Sequence, residues 1–147
     1  GIQMMLPEAV DMNMPAEGAF HNLLIISIKK EYRGHAQKVV HGIWGMGLLA
    51  LSKTVVVVDA DVDVQNLSEV AWRVTNNLDP QQDIFITSGP VDDLDHASVT
   101  LGIGSKVGID ATSKGPLDGR VREWPSDIIM SDDIKMLVDR KWERYGI

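Results

Sequence analysis

The chain has 147 residues, no cysteine and a formal net charge of -7. This length fits one domain with a substantial core, and the lack of cysteine excludes disulfides, zinc–thiolate sites and thiol catalysis. The acidic balance argues against a nucleic-acid-binding surface, which needs clustered Lys and Arg. With no cysteine, a cytosolic protein is the default prediction, and no apolar run is long enough to span a membrane.

The N-terminal segment is weakly patterned, and the first clear elements follow it. Residues 1–18 lack the basic and apolar parts of a signal peptide, and they are typical of a linker or of a strand borrowed by a neighbour. The run Leu23–Ile28 is short, apolar and β-branched, which predicts a buried strand. A helical period over residues 35–51 predicts a helix with a wide apolar face. Its glycines at 42, 45 and 47 favour tight helix–sheet packing over a ligand contact.

Strands and helices then alternate along the chain. The four valines at 55–58 predict a second buried strand, because an apolar run without alternation suits a strand covered on both faces. Either Asn66 or Ser68 can cap the following helix, which ends at the Asp-Pro pair at 79–80. Residues 84–86 predict a third short strand. The alternation predicts the α/β class, with a mainly parallel sheet and helices on both faces.

The C-terminal third is less regular. Glycine and proline make residues 100–122 loop-rich, with one short strand predicted at 107–111. The sequence Gly-Ile-Gly-Ser-Lys at 102–106 lacks the spacing of a phosphate-binding loop, so we expect a surface turn there. Ser131 is a suitable N-cap for a terminal helix over 132–145, whose apolar residues recur at helical spacing.

Three aspartates at alternate positions, Asp59, Asp61 and Asp63, follow the valine strand. A calcium loop starting at Asp59 would need glycine at its sixth position and glutamate at its twelfth, and valine stands at both. A dinucleotide site would need a Gly-x-Gly-x-x-Gly turn after the first strand, which residues 29–34 do not supply. We therefore favour acids that leave a strand end and start the next helix. A metal or nucleotide site is the alternative, since open α/β sheets bind ligands at this end of their strands.

The histidines give no metal-binding pattern, since no two of them have H-x-x-x-H spacing. His96 follows the acids at 92–95, and such a neighbourhood could support acid–base chemistry. A hydrogen-bonded loop histidine is the commoner arrangement, and we expect it here. The residues alone provide no complete catalytic set.

Four segments, taken in order, carry a resemblance to a known family. They are "LPEAVDMNMPAEGAFHNLLIISIKKEYRGHAQKVVHGIWGMG", "KTVVVVDADVDVQNLSEVAWRVTNNLDPQQD", "GPVDDLDHAS" and "GSKVGIDATSKGPLDGRVREWP". No single segment is a strong motif. Their ordered combination resembles the C-terminal part of the UbiD-type decarboxylases, which include the 3-polyprenyl-4-hydroxybenzoate carboxy-lyases, and the likeness covers nearly the whole chain.

The resemblance implies a longer enzyme that removes CO2 non-oxidatively from an aromatic or α,β-unsaturated acid, such as a precursor of ubiquinone or menaquinone. Its prenylated FMN, its divalent metal (manganese or magnesium) and its catalytic residues would belong to a preceding N-terminal flavin domain. None of these is expected in this chain, which alone is expected to be inactive. A flavin prenyltransferase would supply the cofactor. The whole protein would be cytoplasmic, with peripheral membrane association if its acid is polyprenylated.

The same resemblance implies roles for particular parts of the chain. The residues that would line a substrate pocket against the flavin domain are Leu51, Leu94, Asp95 and His96. Residues 1–20 would be a linker or arm from the flavin domain, residues 21–130 the C-terminal α/β domain, and residues 131–147 a helix that contacts another subunit of a homo-oligomer. The alternative is a stand-alone α/β interaction or oligomerisation module without catalysis. A longer reading frame upstream of Gly1 would argue for the enzyme.

Overall fold

The computed structural model describes residues 1–146 and contains one five-stranded sheet in the order β1-β2-β3-β5-β4. The strands are β1 (Ala9–Asn13), β2 (Leu23–Ile28), β3 (Thr54–Asp59), β4 (Ile84–Pro90) and β5 (Ile103–Asp110). The helices are α1 (Ile2–Met5), α2 (His35–Trp44), α3 (Leu67–Asn77), α4 (Pro80–Asp83) and α5 (Asp132–Lys141). The predicted α/β class is confirmed.

The centre of the sheet is parallel and its two edges are antiparallel. β3 pairs in parallel with β2 on one side and with β5 on the other, while β1 and β4 form the edges. The strand predicted at 84–86 exists, but as β4 it pairs antiparallel with β5 and so runs against β3. Antiparallel neighbours need only a loop between them, whereas parallel neighbours need a long crossover. The chain therefore reaches the sheet edge as β4 and returns beside β3 as β5.

Alternate residues of the valine strand face two separate hydrophobic clusters. Val55 and Val57 belong to the cluster that includes Val39, Val40 and Ile43 of α2. Val56 and Val58 belong to the cluster on the opposite face, where α3 packs through Val70. All four valines are at most 5% exposed. Burial on both faces is what the unbroken apolar run predicts.

Helix α2 ends earlier than the apolar pattern predicts. It stops at Trp44, and a short 3-10 turn at Gly47–Leu51 leads into β3. Gly47 has a φ of 48°, a left-handed conformation that an α-helix excludes. The predicted helix over 35–51 is therefore wrong beyond Trp44. Gly42 does serve close packing, because a Cβ there would lie 2.8 Å from Leu6 Cδ2.

The N-cap of α3 is Asn66, one of the two predicted candidates. Its side-chain oxygen accepts a hydrogen bond from the backbone N–H of Glu69 at 3.2 Å. Such a bond satisfies one of the free N–H groups at the start of a helix. Ser68 lies inside the first turn and is exposed.

Strand β5 is longer than the sequence pattern predicts. It begins at Ile103 and takes in most of the 102–106 segment, so the predicted surface turn there is wrong. Thr87 of β4 pairs with Lys106 of β5, and the lysine is only 2% exposed. Gly108 leaves room for the ring of Phe85, since a Cβ at that position would lie 2.3 Å from Phe85 Cε2.

The predicted terminal helix is present as α5, and a 3-10 turn at Trp142–Arg144 follows it. Ser131 occupies the N-cap position, but its side chain makes no capping hydrogen bond. No residue of α5 is buried. Among residues 1–146, no helix combines the length and the apolar character that crossing a membrane requires.

The N-terminal segment contributes to the sheet and to its core. β1 pairs with β2 along the sheet edge, and Leu6 is 2% exposed in the cluster beneath α2. The central part of residues 1–20 is therefore built into this domain. Its role as a linker or arm from another domain stays a prediction.

Candidate functional site

The parallel strands β2, β3 and β5 all begin on one side of the sheet and end on the opposite side. We call these two sides the amino-end edge and the carboxyl-end edge, as distinct from the edge strands β1 and β4. The carboxyl-end edge carries Asp59, the last residue of β3. The amino-end edge carries the turn Gly47–Leu51 before β3 and the loop 91–102 before β5. The structure brings all four residues predicted to line a pocket to this amino-end edge: Leu51 lies in the turn, and Leu94, Asp95 and His96 lie in the loop.

Loop 91–102 is fastened to the body of the domain by side-chain contacts of two of its aspartates. Asp95 accepts a hydrogen bond from Lys53 Nζ at 2.8 Å, and its other oxygen accepts from the Ser98 hydroxyl at 2.6 Å. Asp92 Oδ2 lies 2.5 Å from His21 Nδ1. Lys53 comes immediately before β3, and His21 comes just before β2. Both contacts therefore tie the loop to the amino ends of the parallel strands.

Two aspartates of the loop, Asp92 and Asp95, are stabilised in their charged form. The pKa of Asp95 is lowered, first by the hydrogen bond from Lys53 and then by that from Ser98. The pKa of Asp92 is also lowered, first by the backbone N–H of Leu94 and then by His21. Hydrogen bonds to a carboxylate favour ionisation, so these ties hold at neutral pH.

The predicted pocket residues differ in their exposure. Asp95 is 7% exposed and belongs to the interior of the loop, whereas Leu94 is 62% exposed. His96 is exposed, and among the described residues its side chain has no hydrogen-bond partner. Leu51 is half-buried. The predicted hydrogen bond to His96 is therefore absent among residues 1–146. The histidine that contacts an aspartate of the loop is His21.

Other apolar side chains are exposed in the segments that precede the parallel strands β2, β3 and β5. Phe20 is 72% exposed, Leu48 74% and Leu101 77%. Phe20 also has a φ of 69°, which is strained for a bulky residue. Strain of this kind with an exposed ring is typical of functional or interface positions. The amino-end edge thus presents apolar side chains on a firmly held frame.

Three residues of this edge gave no signal in the sequence. His21 stands 71 residues from Asp92, and Lys53 stands 42 residues from Asp95. Lys106 is the third: it is buried, and burial lowers its pKa to about 8. Pairs so distant in sequence become visible only when the strand order is known.

The aspartates at the carboxyl-end edge make local structural bonds. Asp59 accepts a hydrogen bond from the backbone N–H of Ser113 at 2.7 Å, and Asp63 accepts from that of Gln65 at 2.9 Å. A cavity of about 400 Å³ lies beside Asp59 and Ser113. Within residues 1–146, no group of three acidic or histidine side chains is placed to hold a metal ion. The arrangement fits acids that end a strand and shape the following turn.

A groove of about 1050 Å³ lies between α3, α4 and residues 119–129. Arg73 closes one side of it by two hydrogen bonds to Asp127, at 2.8 and 3.0 Å. The hydrogen bond to Asp127 raises the pKa of Arg73, and the hydrogen bond from Arg73 lowers the pKa of Asp127. The groove mixes acidic and basic side chains and contains none of the predicted pocket residues.

Comparison with known proteins gives the family of this domain. A family model described as the 3-octaprenyl-4-hydroxybenzoate carboxy-lyase C-terminal domain matches residues 1–111. The chain is 49% identical over 146 residues to an uncharacterized protein of Aquifex aeolicus and 50% identical over 142 residues to one of Archaeoglobus fulgidus. These matches cover 99% and 96% of this chain, but the chain spans only 30% of each relative.

Solved structures with the same fold agree. The vanillic acid decarboxylase of Sedimentibacter hydroxybenzoicus, in its closed form, is similar with a TM-score of 0.82 and 28% identity over 99% of this chain and 30% of that chain. The UbiD-class enzyme HmfF of Pelotomaculum thermopropionicum, in complex with FMN, is similar with a TM-score of 0.76 and 27% identity. This match covers 94% of this chain and 30% of that chain. The resemblance found in the sequence is thereby confirmed, and the chain belongs to the UbiD family as a C-terminal domain.

Proposed function

We propose that this chain is the pocket-closing and assembly domain of a longer enzyme. That enzyme removes CO2 non-oxidatively from an aromatic or α,β-unsaturated acid, with a prenylated flavin held by a preceding domain. The amino-end edge, with Leu51 and loop 91–102, forms one wall of the substrate pocket. A quinone precursor as the acid, a flavin prenyltransferase as the cofactor's supplier and a cytoplasmic location follow from the family resemblance and belong to the same proposal.

One observation carries the proposal: the exposed Leu94 stands next to the buried, ion-paired Asp95. The Asp95–Lys53 bond of 2.8 Å fixes the backbone beside a side chain that has no cover of its own. An apolar group held rigidly at a surface is suited to meet a ligand or another domain. The wall of a pocket that is completed by a second domain has this construction.

Closure of the domain over the pocket is the second part of the proposal. The vanillic acid decarboxylase that this chain resembles has been solved in closed and open forms. Closure excludes water from a reacting centre and completes the set of groups around the substrate. In this chain, a fastened loop would move together with the sheet as one body.

The flavin and the metal have no counterpart among the described residues. No group of three acidic or histidine side chains in residues 1–146 could hold a metal ion, and the sequence has no Gly-rich phosphate loop of the required spacing. These groups do not fit this chain, and we assign no catalytic step to it. They belong to the preceding domain in this proposal, and the chain alone is expected to be inactive.

The pocket role is tested in the full-length enzyme by Leu94→Ala and His96→Ala. We expect the ratio of kcat/KM for two acids of different size to change by about tenfold, since lost apolar contacts discriminate substrates on this scale. Flavin content, read from absorbance, should stay at the wild-type level. Val121→Ala is the control, because Val121 is fully exposed and lies outside loop 91–102.

Two results would contradict the proposal. Unchanged kinetics in both variants would show that loop 91–102 does not line the pocket. Loss of flavin in either variant would mean that the loop supports the cofactor and not the substrate.

A second candidate function is a stand-alone assembly module. The unburied helix α5 favours it, because an amphipathic helix without a covered face is suited to contact another chain. An intact natural protein of this chain's own mass would support the module, and one about three times larger would support the enzyme, given the 30% coverage of its relatives.

A further inference from the structure

Lys106 is buried without a counter-ion. It is 2% exposed, and within residues 1–146 no carboxylate lies within 4 Å of its Nζ. Taking a charged lysine out of water is costly, and natural proteins rarely bury one unless it is paired. A lysine in this position therefore needs a reason beyond filling the core.

The partners of Lys106 are two backbone carbonyl groups. Its Nζ donates to the carbonyl of Ala50 and, at 3.0 Å, to that of Pro90. It also lies 5.3 Å from the centre of the Trp44 ring, within the range of a cation–π contact. Both carbonyls are far from Lys106 in sequence, by 56 and 16 residues.

The two carbonyls belong to different segments of the amino-end edge. Ala50 lies in the turn Gly47–Leu51, directly before Leu51. Pro90 is the last residue of β4, from which loop 91–102 departs. One ammonium group thus joins the turn that carries Leu51 to the base of the loop that carries Leu94 and His96.

The surroundings of Lys106 are shaped to hold its stem. Gly89 leaves room for it, since a Cβ at residue 89 would lie 3.3 Å from Lys106 Cδ. Trp44 is itself fixed, because its Nε1 donates to the carbonyl of Ser52 at 2.9 Å. A lysine has three N–H donors, so one ammonium can serve both carbonyls at once.

We infer that Lys106 is a positioning residue, which sets the distance between the Leu51 turn and loop 91–102 and thereby the width of the substrate pocket. This inference rests on the proposed function, because it assigns Lys106 a role in the same pocket wall. Lys106 is only 2% exposed, so we assign it no direct contact with the substrate. It acts through the backbone of the two segments.

The experiment uses the full-length enzyme and three variants. Lys106→Met keeps the stem and removes the donors, Lys106→Arg keeps a cation, and Lys29→Met removes an exposed lysine as the matched control. The first readout is hydrogen–deuterium exchange of the backbone amides at 47–52 and 91–102. The second is the split between KM and kcat for the acid.

In Lys106→Met we expect faster exchange in both segments together, with unchanged exchange in β2 and β3. KM should rise about tenfold, as for the loss of hydrogen bonds to a charged group, while kcat changes less. In Lys106→Arg, KM should rise less than in Lys106→Met. Lys29→Met should match the wild type in both readouts.

The result that overturns the inference is faster exchange in only one segment, or a uniform rise across the whole domain. Unchanged exchange with unchanged KM would overturn it too. If Lys106→Met does not fold, Gly89→Ala replaces it, because the added methyl group crowds the lysine stem and should disturb the same two segments. Failure of the proposed function has a different signature: Leu94→Ala and His96→Ala would leave substrate preference unchanged, whatever Lys106 does to exchange.

Discussion

Lys106 and Asp95 are both buried charged residues of the amino-end edge, but they are stabilised in different ways. Asp95 has a cation at 2.8 Å and a hydroxyl donor at 2.6 Å, and both favour its ionised form. Lys106 has only carbonyl dipoles and an aromatic ring. Burial therefore dominates at Lys106 and lowers its pKa, while the partners dominate at Asp95 and lower the pKa of the acid.

The low pKa of Lys106 gives the protein a measurable dependence of stability on pH. Burial lowers this pKa from 10.5 to about 8 in the folded protein. Between these values the unfolded chain binds more protons than the folded one, so the free energy of unfolding rises with pH. Across the window, the wild type should gain stability relative to Lys106→Met by at most roughly 3 kcal/mol. Urea titrations at several pH values measure the difference, and a difference that stays constant would contradict the burial of a titrating lysine.

At the scale of elements, helix α3 depends on a defined start as well as on its apolar face. The side chain of Asn66 accepts from the Glu69 N–H, and Val70 carries the helix into the core cluster on its side of the sheet. A cap and an apolar stripe are independent contributions, since one satisfies backbone donors and the other removes surface from water.

The two candidate caps of α3 can be separated by single substitutions. Asn66→Ala should lower the free energy of unfolding by about 1 kcal/mol, because it leaves a helical N–H without its partner. Ser68→Ala should change it by less than about 0.5 kcal/mol, as expected for a surface position without a special contact. Chemical denaturation of both variants gives the comparison. Equal losses, or a larger loss at Ser68, would mean that the cap is assigned to the wrong residue.

Helices and strands that are marked by periodicity or by capping residues could be predicted from the sequence. The pairing of the strands in the sheet could not. The valine strand, the helix capped by Asn66 and the terminal helix follow from periodicity and capping chemistry, which a short stretch of sequence contains. The antiparallel pairing of β4 with β5 depends on contacts made after the chain has turned, and no local pattern records it. Lys106 was expected in a surface turn because the segment 102–106 is Gly-rich and lacks the spacing of a phosphate loop, and no local signal showed that it lies in a strand with its side chain buried. The family resemblance supplied the four predicted pocket positions, and the fold explains why they share one edge.

At the scale of the whole molecule, two of the surfaces with exposed apolar side chains bear on the proposed function. The amino-end edge exposes Leu94 and Leu101, and helix α5 exposes Ile134 and Leu137 by 41% and 38%. Apolar groups clustered on a surface usually mark a contact with another domain or chain. The chain spans about 30% of the length of its relatives, so a preceding domain is a natural partner for the first surface. The second surface is the one we assign to contacts between subunits.

The proposed role of α5 in assembly predicts how the full-length enzyme should respond to charge on this helix. Ile134→Glu combined with Leu137→Glu places two acids on the apolar side and should lower the mass measured by light scattering, because a buried unpaired charge opposes association. Lys135→Glu makes the chain more acidic by the same amount at a position that pairs with Asp132, at 3.3 Å, and it should leave the mass unchanged. A wild-type mass for the double variant would exclude α5 as the subunit contact. A lower mass in both would point to net charge, since repulsion between acidic chains acts wherever the charge is placed.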